Sequence, residues 1–162
     1  METEEITFSF GRNWTDFLDS IGEDEVARAI SDIEEWLGRE NVQESKVLDI
    51  GSGSGLHSLG FLRLGASAVH SFDYDPHSVS ATGKVWEQAG SPSNWKVEHG
   101  SILDRDYVES LGHYDIVYSW GVLHHTGKMW DAIENAFSRV KPGGLVWISL
   151  YQKGPRYPKD LE

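Results

Sequence analysis

The sequence predicts an open α/β layer structure: five short parallel strands forming one sheet, with helices on both faces. Short apolar runs alternate with helix-period segments through most of the chain. Each run is apolar enough to be covered on both sides, as parallel strands are. Glycines gather at the carboxyl end of the first run, where open parallel sheets bind their ligands.

In chain order, Val26, Ile30, Ile33 and Leu37 fall four, three and four apart and predict a helix over 23–37 that Gly38 stops. "KVLDI" at 46–50 reads as the first strand, followed by a helix from Leu56 to Leu64 that Gly65 closes. "SAVHSFD" (67–73) is the second strand, and "PHSVSATGKVWEQA" (76–89) a helix with Pro76 in its first turn, where a missing N–H matters little. The turn residues "GSPSN" lead to a third strand, "WKVEH" (95–99), and a short helix around 104–111 precedes "YDIVYSW" (114–120). Met129, Ile133, Phe137 and Val140 predict the next helix, ended by "KPGG", with "LVWISLY" (145–151) as the fifth strand. No repeat, low-complexity tract or dividing linker interrupts the pattern, so residues 1–162 are expected to be a single domain.

Composition narrows the function. The 162 residues contain no cysteine, which excludes disulfides, thiolate metal sites and a cysteine nucleophile and predicts a cytoplasmic setting. No apolar run reaches the ~18 residues of a spanning helix, and "METEEITFSF" carries acids where a signal peptide would carry Lys or Arg. A formal net charge of −12 repels phosphate backbones and anionic membranes, so neither nucleic acid nor membrane is an expected partner.

The chemistry concentrates in "VLDIGSGSGLHS" (47–58), with glycines at 51, 53 and 55. Glycine permits tight or positive-φ turns and lets a ligand rest on main chain, although a plain strand-to-helix turn has the same composition. Asp73 ends the second strand 22 residues after Gly51, the distance at which a carboxylate takes a nucleoside's ribose hydroxyls. Leu56 stands where the dinucleotide motif G-x-G-x-x-G has its last glycine, which disfavours a pyrophosphate. The Lys-Ser/Thr pair of a phosphate-binding P-loop is missing too.

"VLDIGSGSG", "FDYDP", "VEHGSILD", "YDIVYSWGVLHHTG" and "RVKPGGLVWIS", in this order and spacing, closely resemble the class I S-adenosylmethionine-dependent methyltransferases, particularly their small-molecule branch of type 11 and type 12 domains. The match covers about residues 46 to 150. It implies a Rossmann-like doubly wound sheet in the order 3-2-1-4-5, an amino-terminal helical lid or cap over 1–40, a cofactor-binding core over 46–150 and a short tail over 151–162. It further implies that Asp49 and the loop of Gly51, Ser52, Gly53 and Gly55 hold the methionine part of S-adenosylmethionine, and that Asp73 takes the ribose. Tyr74 would lie beside the adenine, and Ser101 and Ile102 would border it. The family often has an acid in place of Ser101, so Asp104 is a second candidate for the adenine amino group. Ser119 and Trp120 would flank the transferable methyl, Trp120 offering an aromatic face to the sulfonium.

Methyl transfer from a sulfonium is an in-line displacement that needs alignment above all. For a hydroxyl or amine acceptor a general base helps, and His124 and His125 are the candidates, against a purely structural role in ordering the loop. Adjacent histidines with no nearby acid in ligand spacing give no metal site. His57 reads as a helix-face or cofactor-rim residue. Phe8, Phe10, Trp14 and Phe17 are expected either to form the lid or to pack on the sheet. The usual carboxyl-terminal antiparallel hairpin of the family has no counterpart in "YQKGPRYPKDLE", so the chain is expected to be a monomer or to pair its fifth strand in a homodimer. The expected activity is methyl transfer to a small molecule with S-adenosylhomocysteine as product. The alternatives are a cofactor-binding module without turnover and a nicotinamide-dependent oxidoreductase.

Overall fold

A computed structural model of the chain describes residues 22–151. Its elements are α1 (Glu23–Leu37), α2 (Arg39–Val42), β1 (Lys46–Ile50), α3 (Leu56–Arg63), β2 (Ala68–Asp73), α4 (Pro76–Gln88), β3 (Trp95–His99), α5 (Arg105–Ser110), β4 (Tyr114–Trp120), a 3₁₀ turn (Leu123–His125), α6 (Met129–Phe137) and β5 (Val140–Ser149). The strands form one sheet in the order β3-β2-β1-β4-β5, every pair parallel, as the sequence predicts. The amino-terminal aromatic residues and the tail after Tyr151 lie outside the described residues.

Alternation along each strand sends neighbouring side chains to opposite faces, and both faces are covered. Val47 joins Ile33, Leu59, Phe61, Val69, Val85, Trp95 and Tyr118 under α1, α3 and α4. Leu48 joins Ile50, Phe72, Val108, Val117, Leu123 and Ala132 under α5 and α6. Val47 and Leu48 are both fully buried, which is why the central strand reads as an unbroken apolar run.

Local signals set the helix ends. Glu25 accepts the Gly22 N–H at 2.9 Å, and three acids in the first turn complement the dipole of α1. Asp75 caps α4 by accepting the His77 N–H at 2.9 Å, with Pro76 as its first helical residue. No helix among the described residues is long and apolar enough to cross a membrane.

The last strand differs from expectation. Val140 does not continue α6, which ends at Phe137; it opens β5, paired with Tyr114, and the next pair is Ile116 with Leu145. Four residues of β5 therefore stand opposite one of β4, Asp115, and Lys141–Gly144 form a bulge within the strand rather than a turn before it. β5 is an edge strand among the described residues, so the N–H that Pro142 lacks need not join a ladder. The short α2 and the 3₁₀ turn were also not expected as helical elements.

Candidate active site

The loop after β1 is tied to β2, since the N–H groups of Gly51 and Ser52 both donate to the Phe72 carbonyl at 2.9 and 3.2 Å. Gly51 and Gly55 have φ of +76° and +80°. A Cβ at Gly51 would lie 2.4 Å from the Val122 side chain, and one at Gly55 would lie 3.0 Å from the Thr82 Cα. Both glycines are therefore required by the protein's own packing, before any ligand is considered. Thr82 Oγ1 donates to the Gly53 carbonyl at 3.0 Å and so accepts from Ser52 Oγ at 2.9 Å, bracing the loop from α4.

Two carboxylates flank this loop. Asp73 accepts the Gly53 N–H on Oδ2 at 3.0 Å and the Asp75 N–H on Oδ1 at 2.9 Å. Burial raises its pKa against these stabilising bonds. Asp49, 2% exposed, takes one hydrogen bond among the described residues, from Ser58 Oγ at 2.5 Å. Burial pushes its pKa up to about 7; the Ser58 bond opposes that rise and the charge of Asp73 adds to it. The pair thus forms an acidic centre, buried at Asp49 and half-buried at Asp73, with acceptor positions unused among the described residues, suited to a ligand that brings a cation and hydroxyl donors.

The remaining predicted residues surround this centre unevenly. Tyr74 is 57% exposed at the end of β2, its ring 6.1 Å from that of His99. Ile102 is buried, and the Ser101 hydroxyl accepts the Leu103 N–H at 3.2 Å. Asp104 serves as the cap of α5, accepting from the Tyr107 N–H. Ser119 is fully buried and donates to the Ile50 carbonyl at 3.0 Å, so its hydroxyl joins β4 to β1. Trp120, 41% exposed, ends β4 with its ring 4.7 Å from His57 and 6.0 Å from Trp36.

His57 is driven down to about 4 by burial, and its Nδ1 lies 3.0 Å from the hydroxyl of the buried Tyr118. That hydroxyl has no other partner among the described residues, so it donates to Nδ1 and His57 carries its proton on Nε2, a donor rather than a base. His124 and His125 share the 3₁₀ turn, their rings 3.9 Å apart. Val122, just before that turn, is the residue that abuts Gly51, which puts both histidines on the loop's side of the fold. Both ring nitrogens of His124 are buried without a hydrogen-bond partner among the described residues, and burial followed by the neighbouring His125 lowers its pKa. An open groove of about 350 Å³ lined by Leu103, Arg105, Lys128, Asp131, Glu134 and Asn135 shares none of these side chains.

Ser58, Ser71, Thr82 and Trp95 were not singled out by sequence. Ser71, a polar residue inside an apolar strand and in register with Asp49, is the one that left a signal.

A family described as a methyltransferase domain matches residues 20–162. The chain belongs to the methyltransferase domain family. This methyltransferase domain is 31% identical over 120 residues to a ribosomal protein L11 methyltransferase of Methylococcus capsulatus, covering 71% of the chain and 36% of that protein. It is 30% identical over 125 residues to a ubiquinone biosynthesis O-methyltransferase of Bordetella avium, covering 76% of the chain and 49% of that protein. The chain thus spans half or less of the length of these curated relatives. Its fold is like that of the N-terminal domain of EvdMO1, solved with SAH bound: TM-score 0.61 at 18% identity, over 80% of this chain and 50% of that one.

Proposed function

We propose that this methyltransferase domain binds S-adenosylmethionine across the Gly51–Gly55 loop and transfers its methyl group to a small-molecule acceptor. The observation that carries this reading is the pair of carboxylates, Asp49 buried with a single hydrogen bond and Asp73 half-buried with two main-chain N–H donors among the described residues, at the carboxyl ends of adjacent strands. An ammonium group and a ribose diol supply what the two lack, so the residues present fit the cofactor. Bound there, S-adenosylmethionine supplies an electrophilic methyl on sulfur and is released as S-adenosylhomocysteine.

In this reading Asp73 accepts the ribose hydroxyls, Tyr74 and Ile102 border the adenine beside Ser101, and Asp49 faces the amino group. Ser52, Gly53 and Gly55 present main chain to the methionine part, and Gly51 seats the loop. Trp120 lies towards the methyl, and Ser119 fixes the strand that carries it. His124 and His125, on the turn that follows β4, are the candidates to accept a proton from a hydroxyl or amine acceptor.

The small-molecule acceptor is supported by the likeness to the ubiquinone biosynthesis enzyme. The likeness to an L11 methyltransferase favours a second reading, with a protein as acceptor, towards which a net charge of −12 would steer a basic partner. Methyl transfer from labelled S-adenosylmethionine, assayed against a phenol and amine library and against basic ribosomal proteins, separates the two. Labelling of the library supports the first reading, and labelling of the proteins alone overturns it. Binding of S-adenosylhomocysteine without transfer to either would make the domain a binding module, and preference for NAD(H) would make it an oxidoreductase.

A further inference from the structure

Four fully or nearly buried side chains on the α3 face of the sheet form a continuous polar line inside an apolar core. Trp95 Nε1 donates to Ser71 Oγ at 2.8 Å, Ser71 Oγ and Ser58 Oγ are 2.6 Å apart, and Ser58 Oγ donates to Asp49 Oδ2 at 2.5 Å. Parallel pairing sets Asp49 directly beside Ser71 in the neighbouring strand, and α3 inserts Ser58 between them. The indole N–H can only donate, so Ser71 must accept from it. The Ser71 proton is then available for Ser58, and the Ser58 proton for Asp49.

We propose that Trp95, Ser71 and Ser58 form a one-way donor chain that holds Asp49 as an ionised acceptor and leaves its second carboxylate oxygen for the ammonium group of the bound cofactor. The second half of this inference rests on the cofactor reading above. The direction of the chain is what matters. A proton on Asp49 Oδ2 would have to be donated to Ser58, Ser58 would donate to Ser71, and Ser71 would be left accepting twice with a buried hydroxyl proton that has no acceptor among the described residues. The indole therefore bars the acid proton from Oδ2 from two residues away and confines it to Oδ1, the oxygen that the ammonium group would take.

The titratable groups around Asp49 are Asp73 from β2, Tyr118 from β4, whose ionisation the Asp49 charge opposes, and His57 from α3, itself held neutral by burial. Asp32 of α1 acts on His57 and Tyr118. None of these is a cation near neutral pH, so no side chain duplicates the work of the chain. Trp95, Ser71 and Ser58 are positioning residues, acting through Asp49.

The test uses Trp95→Phe and Ser71→Ala in the full chain, with two readouts: the carboxyl ¹³C titration of Asp49, assigned by its disappearance in Asp49→Asn, and the affinity for S-adenosylhomocysteine as a function of pH. Both variants are expected to move the Asp49 midpoint alkaline by ~0.5–1 unit, with the pH profile of affinity moving in step. Affinity should fall several-fold near neutral pH and recover to within about twofold of wild type near pH 8.5, where the variant's carboxyl is again ionised. An unmoved carboxyl titration, or an equal loss of affinity at every pH, would overturn the donor chain and leave these residues as packing. A shifted titration in a protein that binds no S-adenosylhomocysteine at any pH would overturn the cofactor reading and leave the donor chain standing.

Discussion

Asp49 sits in the fold against the fold's own stability. Its pKa rises from 3.8 to about 7 on burial, so between those values the native state holds more protons than the unfolded chain and stability falls as pH rises. Asp49→Asn keeps an acceptor for Ser58 and removes the charge. It should therefore unfold at higher temperature than wild type at pH 8, by a few kcal/mol in order of magnitude, with the difference shrinking as pH is lowered towards 4. Thermal melts across that range check this, and a constant difference would refute it. The same variant should lose at least tenfold in affinity for S-adenosylhomocysteine. Thr82→Val removes a hydroxyl that both Ser52 and Gly53 use, and should cost about 1–3 kcal/mol in urea unfolding because it orphans buried polar groups. Asp73 was legible as a candidate from its spacing to the glycines, and Asp49 from the family resemblance of the motif that contains it. Ser58, Ser71, Thr82 and Trp95 were not, because their roles depend on strand register and helix seating. Ser119 was legible as a position, yet its hydroxyl turns out to bind the neighbouring strand.

Between elements, the loop after β1 and the turn after β4 are locked together through Gly51 and Val122. Gly51→Ala should destabilise by ~2–4 kcal/mol, combining a side chain at positive φ with a Cβ driven into a branched neighbour. Adding Val122→Ala should recover part of that loss, and a double-mutant cycle by urea unfolding reads the coupling directly. Strict additivity would mean the two segments do not meet. Most helices and strands were legible because period and capping residues agree, as at Asp75–Pro76. The start of β5 was not, since Val140 continues the helical spacing of Met129, Ile133 and Phe137. "KPGG" has the chemistry of a turn whether it ends a helix or bulges a strand. Pairing with Tyr114 decides between them, and no local signal encodes it.

Across the whole molecule, the parallel sheet brings the ends of β1, β2 and β4 to one edge, where the glycine loop, both carboxylates and Trp120 gather. That gathering follows from the strand order, which is why much of the candidate site could be read from five short motifs. The acceptor could not be read in the same way. Substrate choice belongs to loops and appended segments rather than to the sheet, and the chain spans half or less of its curated relatives. Whether Asp73 and the glycine loop bind an adenosyl cofactor is read from calorimetric titration of S-adenosylhomocysteine into the wild-type chain and Asp73→Ala. Saturable one-to-one binding to the wild type is expected, with a loss of about 100-fold or more in the variant, as removal of a charge-assisted double contact implies. Equal affinity in both proteins, or tighter binding of NAD(H) than of S-adenosylhomocysteine by the wild type, would contradict it.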